Sequence, residues 1–464
     1  MELRSGSRLS SGSPPGAPRR SGPRRCPDGG GEDRISALPD DMLLQVLVRL
    51  RCARAAAVTS FLARRWRGLW RHIFELSFRK IPLDAVDAAL QQVVCPALSR
   101  LEIEIPERHT IMDPARVSAL LNVAARFAPA DLVVDVWGDC KDDKFPIEIP
   151  CFQRATSIKL SVANLYLTLP AGRAEFPVLE RLYVVGCRFD NMNMVELISR
   201  CPHLRVLEVC RCWGLDTVKV HSPTIEELAV DGLLTNLDIM APVLKQFRLR
   251  ATMDRDFSVE FSALMVEDLL WSCSFHHQNM GIGKIWCVRS VDIRTEESGY
   301  VLVLDIDFLP EYFLEEDLFE LIAPLPEFSA LEIYLGSYGH IFGGMMLDLL
   351  GHCTAILRLK VIMRSSVTTQ ACPPDCICNE SPNWRSQTIP LTSIEEIEID
   401  GFEGFGHEVA FLKLLFRWAT MMKKMTVRIP RRLSPDSRGC KKMLSVLEAN
   451  PSVQCYVYRS SGRF

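Results

Sequence analysis

Residues 38–50 show the spacing of apolar side chains that is typical of an amphipathic helix. Pro39 suits the first helical turn because its φ is fixed and its missing N–H is not needed there. Asp40 and Asp41 place negative charge at the positive end of the helix dipole. One apolar face falls at i, i+3, i+4 and i+7 and comprises Leu43, Val46, Leu47 and Leu50. Since Met42 and Leu44 are apolar outside that face, the helix needs apolar contact on two sides.

A second and a third short helix are expected between Ala53 and Trp70. An alanine-rich run comes first, and a basic stretch with two tryptophans follows it. Trp66 and Trp70 are i and i+4, so in a helix they share one face that can pack on the first helix. A module of about 45 residues buries too little surface to be generously stable alone. The pattern therefore predicts a partner that supplies further apolar contact.

Beyond this helical segment the sequence repeats a short unit with apolar residues at fixed positions after a proline. The four clearest copies are Pro177-Leu179-Leu182-Val184, Pro202-Leu204-Leu207-Val209, Pro223-Ile225-Leu228-Val230 and Pro242-Leu244-Phe247-Leu249. Their prolines are 25, 21 and 19 residues apart, which is within or at the edge of the range for leucine-rich repeats. The last two apolar residues of each copy lie two apart and so share one face of a short strand.

Weaker copies of the unit alternate with helical stretches, so strand, turn and helix are expected to build a curved α/β solenoid. Leu207 should face a core shared with Leu182 and Leu228, and Arg205 should lie exposed on the concave strand face. The repeat boundaries are not resolved in the sequence around residues 254–298 and 311–326. Helices are expected at residues 84–94, 114–127, 193–200, 311–322, 345–350 and 407–420.

Residues 38–70 resemble an F-box, specifically the grass type in which leucine-rich repeats follow the motif. Leu38-Pro39-Asp40-Asp41 with Leu43-Leu44 is similar to the family's opening, and the run from Thr59 to Trp70 is similar to its closing helix. The chain departs from the family pattern at two positions. Arg51 stands where a proline is usual, and Val58 stands where an arginine is common. These departures weaken the assignment of adaptor contacts at both positions.

The stretch from Leu391 to Val427 resembles the FBD domain of plant F-box proteins. Its pattern predicts strand, helix and strand, which can continue the solenoid and close its open end. The expected fold class is therefore α/β, with a small N-terminal three-helix F-box followed by a curved leucine-rich-repeat solenoid. The expected division is a disordered tail rich in Ser, Pro, Gly and Arg at 1–33, the F-box at 34–78, the solenoid at 79–387 and the FBD-like region at 388–464.

Composition narrows the class of protein. The 464 residues are 48% hydrophobic and 24% charged, which is ample for a large core, and the net charge of −3 argues against a protein dominated by phosphate binding. No apolar run of about 18 residues occurs, and the first residues lack the apolar segment of a secretory signal. The seventeen cysteines are therefore expected to be reduced thiols. We expect a cytoplasmic or nuclear location, or both.

Cys372, Cys376 and Cys378 form the one cluster that invites metal or redox chemistry. Structural zinc needs four ligands, usually in paired and separated spacings, and the next cysteine along the chain is Cys440. A thiol-bearing loop without a stoichiometric metal is therefore favoured over a zinc site, and no cofactor is expected.

Enzyme motifs give no support for catalysis. The chain has no Gly-x-Ser-x-Gly elbow, and Gly281-Ile282-Gly283-Lys284 is too short for a phosphate-binding loop. His276 and His277 are adjacent, so on a strand their side chains diverge. The arginines around Trp66 and Trp70 are better placed to cover a solvent face than to bind nucleic acid. We expect neither a nucleic-acid nor a membrane partner.

The resemblance implies that the F-box binds a Skp-type adaptor, which joins the chain to a cullin–RING ligase, while the repeats capture a target protein for ubiquitination. The chain itself would then be no enzyme. The alternative is a non-degradative leucine-rich-repeat scaffold with a degenerate F-box, and an enzyme that uses the Cys372 cluster is a third, less favoured hypothesis. Contacts to the adaptor are expected from Leu38, Pro39, Leu43, Leu44, Leu47, Leu62 and Trp66.

Overall fold

The computed structural model describes residues 35, 38–105, 111–137, 139–140, 145–162, 164–169, 175–189, 194–275, 280–283, 285–309, 316–364, 372, 376–379 and 383–459. The expected tail at 1–33 lies outside these residues. The α-helices are α1 Asp40–Arg49, α2 Ala53–Val58, α3 Leu83–Leu90, α4 Pro114–Arg126, α5 Met194–Ser199, α6 Leu318–Ile322, α7 Gly343–His352, α8 Gly406–Trp418 and α9 Arg438–Glu448. Single 3-10 turns span Thr59–Phe61, Arg64–Trp66, Leu69–His72 and Ile377–Asn379.

The strands are, in chain order, β1 Glu75–Arg79, β2 Arg100–Ile105, β3 Ile111–Met112, β4 Asp131–Val136, β5 Asp139–Cys140, β6 Pro146–Glu148, β7 Ser157–Val162, β8 Tyr166–Thr168, β9 Arg181–Val185, β10 Arg188–Phe189, β11 Val206–Cys210 and β12 Thr217–His221. They continue with β13 Glu227–Met240, β14 Gln246–Ser262, β15 Asp268–Phe275, β16 Met280–Ile282, β17 Trp286–Glu296, β18 Gly299–Phe308, β19 Glu316–Asp317, β20 Phe328–Gly336, β21 Arg358–Met363, β22 Glu396–Asp400, β23 Lys424–Ile429 and β24 Gln454–Arg459.

One large sheet runs through the molecule and contains two parallel ladders. The first ladder joins β1, β2, β4, β7, β9, β11, β13, β14 and β15 in that order. The second joins β18, β20, β21, β22, β23 and β24. Since each parallel pair needs a return crossover, strands that add in chain order form a solenoid of repeats. The predicted leucine-rich-repeat architecture is confirmed.

The apolar residues of the repeat signature stack in register from one repeat to the next. Leu207 pairs with Leu182 on one side and with Leu228 on the other, and Leu228 pairs with Phe247. All four are buried, and Leu207 is 0% exposed. The predicted role of Leu207 in a shared core is therefore confirmed. Because each repeat covers the apolar flank of its neighbour, no single repeat buries its own core.

The short repeats in the middle of the chain differ from the prediction of alternating strands and helices. Between β11 and β18 the described residues contain no helix. The return segment is instead a strand: β12 pairs with the second half of β13, and that half pairs with the second half of β14. Repeat spacings of 21 and 19 residues leave no room for both a strand and a helix of several turns, so the return path is extended.

The two ladders are joined by an antiparallel section. β15 pairs with β17 and β17 pairs with β18, both antiparallel, with Trp271 opposite Ile293 and Ile293 opposite Leu302. These residues are buried, so the core continues through the change of direction. The reversal explains why the repeat period is lost in the sequence around residues 254–298.

Helices return in the second ladder. α7 follows β20, α8 follows β22 and α9 follows β23, which confirms the strand, helix and strand predicted for the FBD-like region. Among the predicted helices, those at 84–94, 114–127, 193–200, 345–350 and 407–420 are present as α3, α4, α5, α7 and α8. The prediction at 311–322 is only partly met: residues 311–315 lie outside the described part, and β19 precedes the short α6. No described helix is long and apolar enough to cross a membrane.

Candidate functional site

The N-terminal helical module packs on the solenoid through a narrow apolar stripe. Leu43 and Leu47 of α1 are buried and belong to the same core as the repeat residues. Trp66 and Trp70 are also buried, which confirms their predicted packing role. The third helix was expected over this stretch, but Gly68, with a φ of 78°, separates two 3-10 turns instead. The surrounding Arg64, Arg65, Arg67 and Arg71 are exposed.

The seven predicted adaptor contacts divide by burial into three groups. Leu43, Leu47 and Trp66 are buried inside the chain. Leu38 and Leu44 are half-buried against the core. Pro39 and Leu62 are exposed, Leu62 by 71%. Only the last two groups present surface to another molecule, and the contact of all seven with an adaptor stays a prediction.

Further apolar side chains of the module are exposed beside the predicted ones. Phe61 is 90% exposed, and the others are Met42, Val46, Leu50 and Val58. The sequence pattern assigned Val46 and Leu50 to the buried face of α1, and this was wrong because α1 is buried only along the stripe of Leu43 and Leu47. The spacing of Met42, Val46 and Leu50 at i, i+4 and i+8 is the signal that marks the outer face.

An exposed ion pair links the two ends of this surface. The Arg65 guanidinium donates to the Asp40 carboxylate, with Nη2 2.8 Å and Nε 2.9 Å from Oδ1. The bond holds the segment after Phe61 and Leu62 next to the first turn of α1, which carries Met42. We call the exposed apolar set of Met42, Val46, Phe61 and Leu62 the apolar F-box surface.

Arg51, which replaces the family's usual proline, adopts a left-handed backbone conformation with a φ of 50°. Its N–H donates to the Val48 carbonyl at 3.1 Å. Proline could adopt neither feature, because its ring fixes φ near −65° and it has no N–H. The departure from the family pattern therefore changes the backbone of the turn between α1 and α2.

Charged residues at equivalent positions line one edge of the repeats. Glu226 accepts from Arg205 at 2.8 Å and from Lys245 at 2.9 Å, and these hydrogen bonds, with that from Lys245 the larger influence, lower the pKa of Glu226. Arg205 is exposed as predicted. The three side chains border an open recess of about 770 Å³ that also reaches Val178 and Met265.

The cysteine cluster has a fourth member that the sequence spacing did not reveal. His340 Nδ1 lies 3.2 Å from Cys372 Sγ, 3.3 Å from Cys376 Sγ and 3.6 Å from Cys378 Sγ. Burial raises the pKa of the Cys372 and Cys378 thiols and lowers the pKa of His340. The expectation of no metal rested on the lack of a fourth ligand after the cysteines, whereas the structure supplies one from before them. Of the other motifs weighed, His276, His277 and Lys284 lie outside the described residues.

Two of the repeat cysteines act at turns of the backbone. Cys187 Sγ lies 3.6 Å from the Val185 carbonyl oxygen, and Cys212 Sγ lies 3.4 Å from the Cys210 carbonyl oxygen. Both thiols are buried. They are weak donors that satisfy carbonyls where the chain leaves a strand, which is a role that leucine-rich repeats give to cysteine or asparagine.

Fold and surface together define a leucine-rich-repeat solenoid that carries a small N-terminal helical module. The family model of the leucine-rich repeats in the FBD-associated F-box protein At5g56370 matches residues 123–263. The F-box/FBD/LRR-repeat protein At5g56420 of Arabidopsis thaliana is 30% identical over 214 residues, which are 42% of this chain and 47% of that protein. The putative FBD-associated F-box protein At5g50270 of the same plant is 21% identical over 439 residues, which are 88% of this chain and 99% of that protein.

The matches confirm what the sequence predicted: the chain is of the plant F-box type that carries leucine-rich repeats and an FBD region. The chain spans about half the length of the first curated relatives it matches, including 52% of the putative FBD-associated F-box protein At5g56560 of Arabidopsis thaliana. No solved structure matches the chain.

Proposed function

We propose that the chain is the substrate-recognition subunit of a Skp–cullin–F-box type ubiquitin ligase. The observation that carries the proposal is the apolar F-box surface, on which Phe61 and Leu62 are 90% and 71% exposed. Two large side chains so exposed on a module of the plant F-box type fit a face that a protein partner covers. The partner we propose is the Skp-type adaptor, which would join the chain to a cullin–RING ligase.

Burial assigns different tasks to the seven predicted contacts. Pro39 and Leu62 would touch the adaptor directly together with Phe61, and Leu38 and Leu44 would contribute their exposed parts. Leu43, Leu47 and Trp66 would hold the helices in place from within, because they are buried in the chain's own core.

The proposed contribution to ubiquitin transfer is proximity. The repeats would hold a target protein while the adaptor brings the charged conjugating enzyme close, which turns a bimolecular encounter into a local one. The chain would perform no covalent step itself, and the ligase would act in the cytoplasm, the nucleus or both. We also propose the domain division given by the sequence, with the F-box ending before Glu75, since β1 pairs with β2 as the first strand of the sheet.

The experiment is co-purification of the Skp-type adaptor with the full chain and with Leu38→Ala plus Pro39→Ala. Loss of a half-buried leucine and of the residue that starts α1 should remove adaptor binding while circular dichroism shows an unchanged solenoid. Leu264→Ala, which removes a 96% exposed leucine from the solenoid, is the matched control and should retain binding. Undiminished recovery of the adaptor by the double variant would count against the assignment.

A second candidate function rests on Arg51. Its left-handed turn replaces the family's proline, and this favours a leucine-rich-repeat scaffold whose degenerate F-box no longer recruits a ligase. Failure of the wild-type chain to bind any Skp-type adaptor, with stable capture of a partner through the repeats, would favour this candidate.

A further inference from the structure

Four potential metal ligands converge at one point between the second ladder and the long connection from β21 to β22. The donor atoms of His340, Cys372, Cys376 and Cys378 all lie within 4.8 Å of one another. The distances from His340 Nδ1 to the three sulfurs are 3.2, 3.3 and 3.6 Å, and Cys372 Sγ lies 3.3 Å from Cys378 Sγ. A zinc ion at its usual bond lengths sits in a tetrahedron with edges of about 3.6 Å between nitrogen and sulfur and about 3.8 Å between sulfurs. The cluster therefore has the size of a zinc coordination shell.

Hydrogen bonding within the cluster does not account for this convergence. An imidazole nitrogen carries either one N–H or one lone pair, so it forms one directed hydrogen bond. Three thiols nevertheless lie within 3.6 Å of the same Nδ1. A disulfide between Cys372 and Cys378 would need the sulfurs about 2.05 Å apart and would leave Cys376 and His340 without a role. A cation that binds all four donors explains the whole arrangement.

Neighbouring groups hold the ligands in orientation. The His340 ring stacks on Phe308 with centroids 3.7 Å apart, and its backbone N–H donates to the Ser337 carbonyl at 2.8 Å. The Ile341 N–H donates to Cys378 Sγ at 3.4 Å. A backbone N–H directed at a sulfur stabilises its thiolate form, which is the form that binds metal.

We propose that His340, Cys372, Cys376 and Cys378 bind one structural zinc ion. Three thiolates and one imidazole are a ligand set of closed structural zinc sites, and soft sulfur ligands disfavour magnesium and calcium. All four positions are taken by the protein, so the site would have no open position for catalysis.

The zinc ion would tie two repeats together. His340 lies in the turn between β20 and α7, whereas the cysteines belong to the connection that leaves β21 and enters β22. Farther along this connection, Trp384 is buried against the start of α7, where a Cβ on Gly343 would come within 2.3 Å of the indole. The zinc ion and the tryptophan would thus fasten the connection to the same turn at two points.

The test is elemental analysis of the full chain, produced with zinc in the medium and passed through gel filtration. We expect about one zinc per chain, reduced at least about tenfold in Cys376→Ser and in His340→Ala. Cys455→Ser, which removes a half-buried thiol outside the cluster, should keep the full zinc content.

His340→Cys guards against variants that fail to fold. It preserves four ligands, so it should retain zinc, and cobalt substitution should show its absorption bands moving from a three-sulfur to a four-sulfur pattern. Zinc below about one-tenth of an ion per wild-type chain would overturn the proposal. So would equal zinc content in wild type and His340→Ala, or a Cys372–Cys378 disulfide found by mass spectrometry of the purified chain.

Discussion

The N-terminal module and the repeat solenoid treat their apolar side chains in opposite ways. In the clearest repeats the signature residues Leu182, Leu207, Leu228 and Phe247 are all buried, because each faces its equivalent in the next repeat. In the module, Phe61 and Leu62 extend into solvent although they are as apolar as the repeat residues.

The difference follows from what each region can bury by itself. A solenoid grows by adding neighbours, so every inner repeat has a covered flank. The module has a ten-residue helix, a six-residue helix and 3-10 turns, and its one contact with the solenoid uses only the stripe of Leu43 and Leu47. The solenoid is complete as a core, whereas the module has a face that fits a partner.

The largest effect on stability is expected at the centre of a repeat. Leu207→Ala should lower the free energy of unfolding by about 2 to 5 kcal/mol, because it opens a cavity between two neighbouring repeats. Chemical denaturation measures the loss. Leu264→Ala is the control, since this leucine is 96% exposed and should change stability little. Equal losses from the two substitutions would contradict the register of the repeats.

A smaller effect is expected where the module departs from the family pattern. Arg51→Pro would restore the family's residue, yet it should destabilise the module by more than about 1 kcal/mol, because the φ of 50° and the N–H bond to Val48 are both lost. Limited proteolysis between α1 and α2 would report the change. A variant as resistant as wild type would show that the turn does not need its left-handed residue.

The smallest effect on stability is expected at the charged edge of the repeats. Arg205→Ala removes an exposed ion pair with Glu226, and such pairs contribute little. The melting temperature should stay within about 2 °C of wild type. A much larger drop would mean that Arg205 supports the fold rather than its surface, and co-precipitation of captured targets with this variant would show whether the edge serves binding.

The repeat core was predictable because its signal is local. The spacing of Leu204, Leu207 and Val209 fixes a strand and its inner face, and equal spacings in neighbouring copies fix the register. The antiparallel section from β15 to β18 was not predictable, since the direction of a strand leaves no mark on its apolar spacing. The return strands of the short repeats were missed for a different reason: the repeat length excluded a helix there, and length was not used to test that expectation.

The candidate sites were only partly predictable. Leu62 was identified from its place in the F-box resemblance, but Phe61 has no periodic signal that separates an exposed side chain from a buried one. His340 precedes Cys372 by 32 residues and is joined to it only by the parallel pairing of β20 and β21. Contacts between repeats depend on the assembled ladder, so linear spacing among cysteines could not reveal that ligand.

The central claim, that the apolar F-box surface binds a Skp-type adaptor, is tested most directly by the affinity of the purified adaptor for the full chain. Phe61→Asp with Leu62→Asp should weaken binding at least about 100-fold, because burial of each side chain contributes about 1.5 to 3 kcal/mol. Leu264→Asp, a matched charge on an exposed leucine of the solenoid, should leave the affinity unchanged. The account is contradicted if the double variant folds as wild type does and binds the adaptor with the same dissociation constant.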